Sequence, residues 1–246
     1  KINSFKKEEI KKIILFSCHA LSDANHGLAS NFLFLDYFDH IKKTLEYVNK
    51  INNPNILWIL RPNPTTESQE EYADLTNLVK KFNNKKIIMS QKNVTSFNYS
   101  KICDNVITGR GTVGLEFACL GKYALLAGSG VYSNLGIALE FKNKKKYFDQ
   151  LRNIESIKKI SEKKILLAKK ILYYLEHTNE KFFLEKFNNK EKNIFIKNSK
   201  FLLDESFTAS YRKDIEESFF NKKLISNLKN FRFDQNKYID YFFNKF

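Results

Sequence analysis

Asp104-Asn-Val-Ile-Thr-Gly109-Arg-Gly-Thr-Val-Gly114-Leu-Glu116 runs from a short apolar stretch through closely spaced glycines into a helical pattern that ends near Gly121. A strand, a tight turn and a helix start in that order leave backbone amides open where the turn meets the helix, which favours an anion. The spacing Gly109, Gly111, Gly114 matches GxGxxG in the context that gives this short pattern meaning. A dinucleotide fold would also place an acidic residue at the end of the next strand, about 20 positions on. That strand ends in Ala127-Gly128. The motif also follows the fourth apolar run rather than the first, so NAD and FAD are disfavoured. No GKS or GKT follows, which excludes a Walker-type NTPase.

Working outward, four more short apolar runs alternate with longer helical patterns: Lys12 to Ser17, Asn55 to Leu60, Lys86 to Ser90 and Tyr123 to Gly128. With Asn105 to Gly109 they predict five strands of an α/β, Rossmann-like parallel sheet with helices on both faces. Phe34, Phe38, Ile41, Leu45 and Val48 fall on one helical face, as do Tyr72, Leu75, Leu78 and Phe82. Glu67, Glu70 and Glu71 suit the positive start of the second helix, and Gly121 is the expected C′ residue of the helix after the fourth strand.

The chain has 246 residues, enough for one α/β core and an appendage. The expected division is a Rossmann-like domain over 1–150 and a helical C-terminal extension over 151–246. In the latter, Ile154, Ile157, Ile165, Ala168, Leu172 and Leu175 keep helical spacing. Thirteen of the 23 phenylalanines lie from Phe182 onward, among them the pairs Phe182-Phe183, Phe219-Phe220 and Phe242-Phe243. That much aromatic surface is expected to pack on the α/β domain, a further domain, a second copy in a homo-oligomer, or a membrane. The chain opens on Lys1 and its one methionine is Met89, so it reads as a piece of a longer protein.

The net charge of +15 raises nucleic acid as a partner, but the lysine excess is spread over both halves without a patch, and general compositional bias accounts for it better. A weak, peripheral attraction to anionic membrane is compatible with it. Three cysteines, Cys18, Cys103 and Cys119, show no metal spacing, which points to reduced thiols in the cytoplasm and to no structural zinc. No apolar run reaches the roughly 18 residues of a membrane span.

In a doubly wound sheet, ligands sit beyond the carboxyl ends of the strands. The loops there hold Ser17 to Gly27, Arg61 to Thr66, Gly109 to Gly114 and Gly128 to Gly136. Glu116, on the first turns of its helix, suits a pair of ribose hydroxyls or merely complements the helix dipole. Arg110 suits a phosphate or is a surface residue. Arg61-Pro-Asn-Pro stiffens a turn that carries Arg61 and Asn63 toward the same crevice, or is an ordinary strand exit. His19, Asp23 and His26 could form a proton carrier with an orienting carboxylate, or cap the next helix.

Together these loops resemble the nucleotide-binding half of bacterial capsule and surface-polysaccharide glycosyltransferases of the GT-B type, including the capsule Kdo-transferase-like proteins. The resemblance covers roughly residues 10 to 150. It lies in Ser-Asp-Ala-Asn-His at 22–26 with Leu-Asp-Tyr-Phe at 35–38, in Arg-Pro-Asn-Pro at 61–64, and in Asp104 with Thr-Gly-Arg-Gly-Thr-Val-Gly-Leu-Glu-Phe-Ala at 108–118. It implies transfer of a sugar from a nucleotide-sugar donor, CMP-linked donors included, to a glycan or glycolipid acceptor, without cofactor or metal. Gly109, Arg110, Gly111 and Thr112 would meet the donor phosphate, with Glu116 at the ribose and Arg61 and Asn63 nearby. Thr108, Ser17, His19 and Tyr132 complete the candidate donor site, and Asp23 and His26 are the candidate catalytic pair. Asn63 stands where the family often has histidine, so Arg61 and Arg110 must compensate or activity is reduced. GT-B enzymes carry the acceptor on a second such domain, expected upstream. The competing expectations are a noncatalytic interaction or scaffold module and a sugar-nucleotide epimerase or hydrolase.

Overall fold

The computed structural model describes residues 10–23, 32–64, 70–91, 94–176, 190–191 and 193–194. Among the described residues the elements run β1 (Lys12–Ser17), α1 (Tyr37–Ile51), β2 (Ile56–Arg61), α2 (Glu70–Lys81), β3 (Ile87–Met89), α3 (Ser96–Ile102), β4 (Asn105–Thr108), α4 (Val113–Cys119), β5 (Ala124–Leu126), β6 (Leu139–Glu140), α5 (Lys144–Arg152) and α6 (Glu162–Glu176). All strand pairs are parallel, in the order β3-β2-β1-β4-β5-β6.

Alternation along the strands splits the core into two layers, because successive side chains leave opposite faces of a strand. Leu15, Leu57, Ile59, Val106 and Leu126 pack with Tyr99 of α3, Leu115 and Phe117 of α4, and Leu167, Ala168 and Ile171 of α6. Ile14, Phe16, Trp58, Leu60, Ile107 and Leu125 face the other way, onto Ile41 and Leu45 of α1, Leu75 and Leu78 of α2, and Tyr147 and Leu151 of α5. All six positions of β2 are buried, as expected of a strand covered on both faces.

The fold class follows the sequence, with three corrections. The sheet has six strands rather than five. The sixth, β6, pairs Leu139 with Leu125 and Glu140 with Leu126, and two residues are too few to carry a periodic signal. Helix α1 begins after Phe34, because the Asp36 carboxylate caps it by accepting the Asp39 amide at 2.6 Å. Its buried side is Tyr37, His40, Ile41, Thr44, Leu45 and Val48, and Phe38 is left 38% exposed. Glu71 has a use beyond the helix dipole: its carboxylate accepts the amides of Leu21 at 2.9 Å and Ser22 at 3.1 Å, tying α2 to the loop after β1.

Gly121 ends α4 as expected. It adopts φ +78°, its N–H reaches Ala118 O, and Lys122 N–H reaches Phe117 O, the paired bonds of a Schellman cap. Helix α5 runs through residue 150, and α6 packs on α4 within the same core layer. The paired phenylalanines from Phe182 onward lie outside the described residues, as do Glu67 and His26. Burial raises the Cys18 thiol and pushes Cys103 and Cys119 up to about 12, and none of the three is in a disulfide.

Candidate functional site

From β1 the sheet grows one way through β2 and β3, and from β4 the other way through β5 and β6. The loops leaving β1 and β4 therefore part on opposite sides of the sheet and open a crevice between them, the position where doubly wound folds bind ligands. An added clip registers the two strands. Asp104 N–H donates to Ile13 O at 2.7 Å while Ile13 N–H donates to the Asp104 carboxylate at 2.8 Å.

His19, two residues beyond β1, lies against the glycine turn. Its Nε2 accepts the Arg110 amide at 3.1 Å, and its ring stacks on Tyr37 with centroids 4.4 Å apart. Burial lowers its pKa to about 4, with Asp23 pulling it up and Arg110 pushing it further down. The imidazole is thus neutral at pH 7, and because Nε2 accepts, Nδ1 carries the proton. Nδ1 is 3.8 Å from the exposed Asp23 carboxylate, beyond hydrogen-bond distance.

The glycines of the turn are explained by what lies against them. A Cβ on Gly109 would come within 2.9 Å of His19 Cδ2 and 3.0 Å of Tyr37 Cε1. One on Gly114 would collide with the Tyr132 hydroxyl, and one on Gly128 would come to 2.6 Å from the Phe32 ring. Tyr132 is fully buried and donates to Gly111 O at 2.6 Å, so it braces the turn from below. Thr108, also buried, accepts the Gly111 amide at 3.4 Å. The Arg110 guanidinium lies 5.8 Å from the Phe32 ring centroid and 5.9 Å from that of Tyr37, which holds its charge at an aromatic wall. Burial raises the Tyr37 phenol pKa, and Arg110 opposes that rise through its charge and a hydrogen bond. Among the described residues, the amides of Thr112 and Val113 have no protein partner. Thr112 itself is exposed at the start of α4.

The other candidates are distributed around this centre. Ser17 closes β1, buried and in register with Arg61. Arg61 is buried, and its Nε donates to Val94 O at 3.3 Å, so it is held by the segment after β3. Asn63 is half-buried two residues further on. Glu116, half-buried on the first turn of α4, accepts the Ser96 hydroxyl at 2.9 Å. The structure thus brings together His19, Gly109, Arg110, Gly111, Thr108 and Tyr132, with Asp23 at the edge, and places Arg61 toward the β3 side. Tyr37, Phe32 and Ser96 are additions; Tyr37 falls within the 35–38 stretch, and the loop after β3 carries no distinctive motif. Among the described residues, no three His, Cys, Asp or Glu side chains could hold a metal ion. No described helix is long and apolar enough to cross a membrane.

No protein-family profile matches the chain, and no curated protein matches it in sequence. Similar solved structures include the beta Kdo 2,7 transferase of Thermosulfurimonas dismutans KpsC. The identity is 19% and the TM-score 0.41, with 64% of this chain covering 44% of that one. The beta Kdo 2,4 transferase of the same protein gives 15% and 0.42, with 67% of this chain on 45% of that one. The Methanocaldococcus jannaschii UDP-GlcNAc 2-epimerase, solved with UDP-GlcNAc and UDP, gives 16% and 0.39, with 69% on 46%. The chain spans less than half the length of each of these proteins.

Proposed function

We propose that this chain is the donor-binding part of a glycosyltransferase that moves a sugar from a nucleotide-sugar to a growing capsule or surface polysaccharide or a glycolipid. The observation that carries the reading is the Gly109–Thr112 turn at the β1/β4 crevice, which carries the Arg110 guanidinium and leads into the open amides of Thr112 and Val113, one helical turn before Glu116. That combination suits a phosphate joined to a ribose. The amides and Arg110 hold the phosphate, and Glu116 accepts from ribose hydroxyls. Arg61 adds positive potential from its buried position, with Asn63 beside it.

The reaction this site favours is departure of the nucleotide phosphate, whose growing negative charge meets fixed amides and a guanidinium already in place. Neutral His19 keeps the Arg110 amide oriented, and Asp23 is the carboxylate at the crevice edge suited to general-base work toward an acceptor hydroxyl. The acceptor surface belongs to a further domain in this reading, with the 1–150 region as donor domain and the segment from 151 as its extension. Calorimetric titration with CMP, CDP, UDP and GDP tests the proposal. One of them should bind at sub-millimolar concentration, and a folded protein that binds none at millimolar concentration removes the donor site.

A further inference from the structure

Val94 and Ser96, two residues apart at the start of α3, touch the two charged candidates Arg61 and Glu116. Val94 O accepts Arg61 Nε at 3.3 Å, and two residues later the Ser96 hydroxyl donates to Glu116 Oε2 at 2.9 Å. Gln91 and the start of α3 are both anchored. The Gln91 amide donates to the Tyr99 hydroxyl at 2.9 Å, and Thr95 caps α3 by accepting the Asn98 amide at 3.2 Å. At the far end of α3, Lys122 Nζ donates to Ser100 O at 2.6 Å and Cys103 O at 2.7 Å, so the helix is held to the end of α4 as well as to its start.

We infer that Ser96 is a positioning residue for Glu116, fixing the carboxylate so that it accepts from the vicinal hydroxyls of a ribose and thereby selects ribonucleotides over 2′-deoxyribonucleotides. A carboxylate on a freely turning glutamate meets two neighbouring hydroxyls only in a fraction of its rotamers. A hydroxyl donating to one oxygen from a neighbouring rigid helix fixes the plane of the group, and with it the direction of its remaining lone pairs. Because Ser96 and Glu116 sit at the starts of two different helices, the bond also sets how far apart those starts lie. The inference rests on the donor-site reading for its ligand, but the positioning itself does not depend on any ligand.

The experiment compares wild type, Ser96→Ala and Ser96→Thr by titration with a ribonucleoside diphosphate, its 2′-deoxy analogue and inorganic pyrophosphate, alongside ligand-free crystal structures of wild type and Ser96→Ala. Ser96→Ala should weaken the ribonucleotide about tenfold, the worth of one hydrogen bond to a charged group, while the deoxynucleotide and pyrophosphate hold their affinities. Ser96→Thr, which keeps the hydroxyl, should restore ribonucleotide binding. Equal losses for ribo and deoxy ligands, or no loss at all, overturn the inference. If wild type binds no nucleotide, the donor reading fails, and the ligand-free structures decide the positioning. A Glu116 side chain that turns away in Ser96→Ala supports it, and an unchanged one overturns it.

Discussion

The backbone N–H of Arg110 donates to Nε2 of His19 at 3.1 Å, so the loop after β1 supplies the acceptor that orients the turn after β4. This one bond couples the two walls of the crevice. It fixes the histidine tautomer, and it gives the Arg110 amide a partner inside the protein.

Gly109→Ala tests how closely those walls must approach. Gly109 is not among the glycines with positive φ, so alanine is tolerated by the backbone and the cost is steric, from His19 and Tyr37 at about 3 Å. Overpacking of this kind costs about 1–3 kcal/mol, measurable by urea denaturation, and donor affinity should fall with it. Unchanged stability would mean that His19 and Tyr37 move aside freely.

Glu71→Ala should loosen the first loop between His19 and Asp23, and with it that wall of the crevice. The loss of an ionised acceptor for Leu21 and Ser22 should speed exchange of those two amides and lower stability by about 1 kcal/mol. Hydrogen exchange followed by NMR reads both amides directly, and protection equal to wild type would show that the carboxylate is dispensable.

The roles of Arg110 and Glu116 separate by ligand. Arg110→Ala should weaken nucleotides but leave nucleosides unchanged, since only the former carry the phosphate. Glu116→Ala should weaken both. A good charge-assisted contact predicts losses of about tenfold in each case. Calorimetry with matched nucleoside and nucleotide pairs decides, and parallel losses for Arg110→Ala would contradict the assignment.

Acid should destabilise the protein through two histidines. His40 is buried, with Nε2 3.0 Å from the Tyr147 hydroxyl, and burial lowers its pKa to about 3, helped by His19. His19 is lowered to about 4. Both have folded values below the ordinary 6.5, so above that pH neither state takes a proton. As pH falls below it, the unfolded chain protonates first, and stability declines until the folded values are reached. The slope approaches about 1.4 kcal/mol per pH unit for each histidine. Urea denaturation between pH 7.5 and 4.5 should show this decline, and His40→Gln should make it shallower. An equally steep decline in that variant would assign the effect elsewhere.

The sheet was readable in the sequence because buried parallel strands are written as short apolar runs, and β1 matches its expected bounds, Lys12–Ser17. Strand β6 was not, because its two residues have no periodicity and owe their pairing to β5. The face of α1 was only approximate. Its capping bond belongs to Asp36, and the polar residues His40 and Thr44 are buried because the Tyr147 hydroxyl, more than a hundred positions away, lies 3.0 Å from each. At the site, the turn stood out through its glycines, but the reason for them did not. Their neighbours His19, Phe32 and Tyr132 come from three other places along the chain. Ser96 and Val94 escaped notice because a serine and a backbone carbonyl acquire meaning only from the charged group placed beside them.

The central position of β1 also bears on how the chain is made. As synthesis proceeds from the N-terminus, β1 finds β2 within about fifty residues, but its other edge stays open until residues 104–107 arrive, and only then can the Asp104–Ile13 clip close. Until that moment a strand with four consecutive apolar residues, Ile13 to Phe16, presents unsatisfied amides and carbonyls to its surroundings, the condition in which strands pair with the wrong partner. The seam that becomes the crevice is thus also where the nascent chain is most exposed to misassembly, and early capture of this edge by a chaperone would protect the future site.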